Sequence, residues 1–424
     1  LENDSISIYS IINFIYINNT MRWHLKLLCF FISLSFIVLR FASATPLHVE
    51  ESSVSLGEQF TLTSKGAYRL KAGTVGISRP AYSAGPIAVS NDDKVLFIAG
   101  HAQHFGLGSY LLSDEPGFGD INTLPIAENL SPFVKINPQN KFPGSVNRIT
   151  GIETLDEHLL VMTDEYYDAN TDNNNFLVLL NNNTNLEQAK QVGFFSISAK
   201  SHAAGWMSEV PAPLSKELDA LYIAGSASNI PINARHSIGP TLFTWFPYFL
   251  ENVKPKGVTL VMEPLIDYSL DNPLHPNLNN KNGKNDLWTE LSYAAFGFIS
   301  PDQSKYIVIG HSGGHNSGVG YKITQKNGHQ CGGYCAIDDK DYYNYFWIYS
   351  VSDIKKSFAG AIEPHEVKPI EYGRLPLLNH RHLIKGADFN HRTNHLYLSI
   401  DNLDTTQSEY ESQPLIWVFE LTSN

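Results

Sequence analysis

The sequence predicts an all-β protein, most simply a β-propeller. Helix-period stretches are few, and short runs of strand-forming residues are many. One plan recurs five times: an apolar segment, a polar turn, then a strand ending in a small or polar residue. A further short strand follows each unit, such as LIWVFEL at 415–421. A single small sheet cannot bury both faces, whereas sheets stacked radially can.

The five units are PIAVSNDDKVLFIAGH, ITGIETLDEHLLVMTD, LSKELDALYIAGS, AAFGFISPDQSKYIVIGH and GADFNHRTNHLYLSID. They end at His101, Asp164, Ser226, His311 and Asp401, at spacings of 63, 62, 85 and 90 residues. The two long spacings leave room for up to seven blades. The segment EQFTLTSK at 58–65 is expected to complete the last unit and close the ring. A β-sandwich is the alternative. Strand residues Phe97, Leu160, Tyr222, Val308 and Leu398 are expected in the core. The five end residues are expected on one face, where a rigid scaffold presents binding groups.

The start of the chain reads as processing signal rather than fold. Residues 1–20 precede Met21 and are expected to be an upstream mis-start. Residues 21–44 combine Arg22 and Lys26, an apolar run and an Ala42-Ser43-Ala44 ending, the pattern of a secretory signal peptide. A membrane anchor is the other reading of that run. Residues 45–424 are then one exported domain, secreted or periplasmic, expected to be a monomer with no second membrane span. Charged residues make up only 17% and apolar residues 43%, which suits a packed core rather than a disordered chain. A net charge of −12 argues against a nucleic-acid partner. Three Cys are too few for a disulfide-stapled scaffold.

Four clusters could carry chemistry. HSGGHNSG and KNGHQCGGYC supply His315, His329, Cys331 and Cys335, two imidazoles and two thiols that could close a structural zinc site. A Cys331–Cys335 disulfide or free thiols are the alternatives. His311 is left facing the cleft as a substrate-binding residue. GHAQHFGLGSY places His101 and His104 just past a strand, where His101 suits proton transfer and His104 ligand contact. NARHSIGPTLFTWFPY offers Arg235 as a carboxylate partner, His236 as an acid or base, and Trp245 as a stacking surface. DEYYDANTDNNN alternates Asp168, Asn170, Asp172 and Asn174 as in a calcium loop, although the glycine and distal glutamate of an EF-hand are missing. Asp164 joins the substrate-binding set through its place in the repeat. Nucleophile-elbow, phosphate-loop and dinucleotide motifs are absent.

In its size, export signal, His/Arg face and His/Cys cluster, the chain resembles the secreted β-propeller polysaccharide lyases that cut ulvan. The resemblance implies β-elimination next to a uronic acid in an acidic polysaccharide. Arg235 would neutralise the carboxylate, His101 or His236 would take the proton, and Tyr110 would protonate the leaving oxygen. A glycoside hydrolase using Asp164 and Asp401, or a non-catalytic propeller that binds glycans or proteins, are the alternatives.

Overall fold

The computed structural model describes residues 47–136, 146–167, 176–226, 237–247 and 258–424. The expected mis-start and signal segments lie outside these residues. His48–Asn424 forms one compact unit.

The long strand Phe60–Leu70 organises the largest sheet. One edge pairs antiparallel with the C-terminal strand Gln413–Ser423, which continues through His395–Asp404 to Ile384–Asn390. The early segment at 58–65 thus meets the last unit, as its sequence suggested. At its other side the final residues Arg69 and Leu70 pair parallel with Ile126 and Ala127 of Ile126–Lys135. From there the order runs through Gly106–Leu111 and Val95–Ala99 to Ile87–Val89. The strand Ser53–Leu56 pairs with Phe60–Leu70 as well, making nine.

The two outer strands of this sheet come back together. The Val89 N–H donates to Asp388 Oδ2 at 2.6 Å. Gly85 and Gly386 bring their backbones into contact, and a Cβ built on Gly386 would lie 2.0 Å from the Gly85 carbonyl oxygen. The sheet is therefore nearly closed on itself. Beside it stand a five-stranded sheet running from Arg148–Leu155 to Thr259–Leu260 and two four-stranded sheets, Met207–Glu209 to Glu263–Ile266 and Tyr293–Ile299 to Glu371–Arg374. Two short ribbons complete the described strands.

This arrangement corrects the expected propeller of five to seven blades. The first and last repeat units do not stand as separate sheets but are hydrogen-bonded into one, through Phe60–Leu70. Matching strand ends along a sequence shows where strands stop. It does not show which edges pair.

The strand interiors follow from burial on both faces. In His158–Asp164, Leu160 and Met162 face a core shared with Tyr222, Phe243 and Trp245. Leu159 and Val161 face a second core shared with Phe97 and Ile149. Alternate side chains point to opposite faces, so a strand covered on both reads as an unbroken apolar run. Phe97, Leu160, Tyr222, Val308 and Leu398 are all buried.

One charge pair pins the seam of the large sheet. Arg69 Nε donates to Asp404 Oδ2 at 2.8 Å, and both side chains are almost wholly buried. Arg69 also reaches the Asn122 carbonyl and Thr406. Removing one partner of such a pair leaves the other charge buried and uncompensated. Arg69→Met should lower the unfolding free energy by about 3–5 kcal/mol in urea denaturation. A loss under about 1 kcal/mol would mean that the seam is held by strand pairing alone.

Candidate functional site

Strand ends from several sheets converge on a cleft of about 680 Å³. Its lining includes Tyr82, Arg148, Tyr166, Tyr293, His311, Lys385 and Asp401. Arg148 opens one strand and Asp164 closes the next, and register pairs them directly. Tyr293 and His311 are likewise cross-strand partners. Lys385 is the second residue of Ile384–Asn390, and Asp401 lies in the strand beside it.

The charges are unequally satisfied. Arg148 grips Asp164 with both Nε and a terminal nitrogen, and Nε–Oδ1 is 2.6 Å. Burial works against the guanidinium charge, but Asp164 beside it holds the pKa up. Tyr166 lies over the same guanidinium, 5.4 Å from centroid to carbon. Lys385 has no carboxylate within salt-bridge reach among the described residues. Burial lowers its pKa, and the more distant Asp401 only partly offsets this. Burial raises the Asp401 pKa, again partly offset by Lys385.

His311 is held as a neutral imidazole. Its Nδ1 lies 2.9 Å from the Ile384 carbonyl, which can only accept, so Nδ1 carries the proton. Burial, helped by the charge of Lys385, pushes its pKa down to about 3. Nε2 then carries the lone pair. The ring stacks on Tyr293 at 5.0 Å, and burial raises the Tyr293 pKa.

A smaller recess of about 60 Å³ adjoins the cleft and shares Ala84, Arg148 and Tyr293 with it. Asp164 and Ser226 line this recess. Of the five repeat-end residues, Asp164 and Ser226 thus border the recess and His311 and Asp401 the cleft. His101 stands at the rim, edge-on to Tyr82 at 5.5 Å and stacked on His104 at 4.3 Å. Burial lowers the His101 pKa, with a contribution from His104. Its Nδ1 accepts the Gln103 N–H, and His104 Nδ1 meets the Ser78 hydroxyl.

Other expected site residues lie elsewhere. Tyr110 is fully buried in a core with Phe133 and Ile98, and its hydroxyl faces the Lys71 carbonyl at 3.5 Å. Burial raises its pKa, so it is no exposed proton donor. Trp245 packs in the core against Tyr222 and offers no stacking face. Arg235, His236, Asp168, Asn170, Asp172 and Asn174 lie outside the described residues.

The zinc reading is corrected as well. Cys331 and Cys335 are joined in a disulfide, which removes both thiolates. His315 is buried, with Nε2 2.7 Å from the Ser312 hydroxyl and Nδ1 2.9 Å from the Asn285 carbonyl. His329 lies exposed, just after the turn at 326–327. Among the described residues, no three or more His, Cys, Asp or Glu side chains gather as a metal site would require. Sequence reasoning missed Arg148, Tyr293 and Lys385. Each stands immediately before a repeat unit rather than at its end: Arg148 before Ile149, Tyr293 before Ala294 and Lys385 before Gly386. The opposite ends of the same repeats, read together, would have found them.

No family model and no curated protein matches the chain. Among solved structures, it is similar to the PQQ-bound form of aldose sugar dehydrogenase from Streptomyces coelicolor at 10% identity, with a TM-score of 0.36 over 89% of this chain and 100% of that one. It is similar to Kuenenia stuttgartiensis hydrazine synthase at 12% identity, with a TM-score of 0.31 over 75% and 74% of the two chains. Scores this low carry no argument about fold or activity. The sheets are not the expected propeller, and Tyr110, the expected proton donor, is buried in the core. The resemblance to polysaccharide lyases therefore does not hold, and the β-elimination reading falls with it.

The disulfide closes a loop of five residues, from Cys331 to Cys335. Reducing it should lower stability by about 2 kcal/mol, since a short loop yields a small chain-entropy effect. Non-reducing peptide mapping should recover both residues in one oxidised peptide. Free thiols at both positions in folded protein would reverse the correction.

Proposed function

We propose that the cleft binds a carboxylate-bearing, hydroxylated ligand: an acidic sugar, or one unit of an acidic polysaccharide. Lys385 carries this reading. It is a cation lining a cavity, with no ion-pair partner among the described residues, while the neighbouring Arg148 is already held by Asp164. A partly buried charge that lacks a partner among the described residues favours a ligand that brings one. The cleft volume lies in the range of small-molecule sites. Tyr82 and Tyr166, both about half exposed, offer aromatic faces to a sugar ring at its rim.

His311 adds a polar contact to the same site. With its pKa pushed down to about 3, the neutral imidazole is too weak a base to take a proton from the ligand, and its Nε2 lone pair instead suits a hydrogen bond from a ligand hydroxyl. Export remains part of the proposal. The Cys331–Cys335 disulfide suits an oxidising compartment. Among the described residues no helix is long and apolar enough to cross a membrane.

Calorimetric titration with glucuronate, short oligouronates and glucose tests the binding. The uronates should bind at least about tenfold more tightly than glucose, and Lys385→Met should weaken uronate binding by about ten- to hundredfold, the scale of one charged hydrogen bond. Equal affinity for glucose and glucuronate would remove the proposal.

The pH dependence follows from the two flanking charges. Protonated Lys385 attracts the anion, and its pKa is lowered, so affinity should fall as pH rises through that lowered value. Ionised Asp401 repels the anion, and its pKa is raised, so affinity should strengthen as pH falls through it. The trend should reverse only where the ligand carboxylate itself takes a proton. Titrations across pH 5–10 should show this slope, and Lys385→Met should lose its alkaline part.

A further inference from the structure

We infer that the recess adjoining the cleft is a subsite for one uncharged, hydroxyl-bearing group of the ligand. This deepens the proposed function and rests on it, because the recess and the cleft share Arg148 and Tyr293. The recess has room for a few water molecules or one compact group. Four alanines, Ala84, Ala204, Ala294 and Ala295, line it beside the larger Trp206 and Tyr293.

Its chemistry selects the occupant. Thr150 lines the recess, and its hydroxyl is buried without any hydrogen-bond partner. Buried hydroxyls are rarely left unpaired, so the site calls for a polar group from outside the chain. Ser226 brings a second hydroxyl to the same lining. A carboxylate is disfavoured there, because Asp164 already lines the recess and its pairing with Arg148 consumes the local positive charge. An apolar group would leave Thr150 unpaired. A neutral hydroxyl satisfies Thr150 without adding charge beside Asp164. The ligand is thereby oriented, with its carboxylate toward Lys385 and one hydroxyl toward Thr150.

The experiment is calorimetric titration of glucuronate and its mono-deoxy analogues against the wild type, Thr150→Val and Ser226→Ala. In the wild type, loss of one particular ring hydroxyl should weaken binding by about two- to tenfold, the range of a single neutral hydrogen bond. In Thr150→Val that discrimination should shrink toward unity, while thermal unfolding without ligand occurs no lower than in the wild type. Ser226→Ala should reduce the discrimination at the same ring position and serves if Thr150→Val does not fold. Equal binding of every deoxy analogue by the wild type overturns the subsite and leaves the cleft reading standing. Discrimination that survives both substitutions unchanged also overturns it. No binding of any uronate by the wild type overturns the cleft reading and the subsite together.

Discussion

The described body depends on one strand that is paired at both sides. Phe60–Leu70 joins the C-terminal strands on one edge and, through Arg69 and Leu70, the strands of the first repeat unit on the other. Without it the nine-stranded sheet would fall into two sheets, with newly open edges on Gln413–Ser423 and Ile126–Lys135. The Arg69–Asp404 pair sits at the end of this strand, where the parallel and antiparallel pairings meet. Closure of the sheet then brings Ile384–Asn390 beside Ile87–Val89. That approach carries Lys385 and its neighbours into the cleft.

The cleft shows how burial and pairing divide the same residue types into different roles. Arg148 and Asp164 neutralise one another through two hydrogen bonds and act as a fixed polar wall. Lys385 and Asp401 are close enough to influence one another but too far apart to form a salt bridge. Burial therefore pushes both toward their neutral forms, and each partly restrains the other. His311 is neutral because burial and Lys385 act in the same direction. Lys385 thus remains the cleft cation without an ion-pair partner among the described residues, whereas Arg148 is already held.

Much of the strand content was legible in the sequence, because strands buried on both faces carry continuous apolar runs. Leu159 to Met162 is one such run, and it feeds two separate cores. The convergence of Asp164, Ser226, His311 and Asp401 was legible for a related reason: repeated strands end at equivalent places. The sheet architecture was not. Pairing between Phe60–Leu70 and Ile126–Lys135 involves two residues of each strand, and no periodicity announces it. Chemistry was legible least. Tyr110 and Trp245 have the right residue types for a site, but a strand side chain faces solvent or core according to its register, and both face the core. Cys331 and Cys335 lie close enough in sequence for either a metal or a disulfide, and only their geometry separates the two.

The pairing of Phe60–Leu70 with Gln413–Ser423 also governs the order in which the chain can mature. The two strands are separated by nearly the whole described body, so the largest sheet cannot be completed before Gln413–Ser423 has been made. Until Gln413–Ser423 emerges, Phe60–Leu70 presents an open edge, and that edge is a template for another copy as readily as for its own distant partner. The same delay keeps the growing chain short of its final closed form.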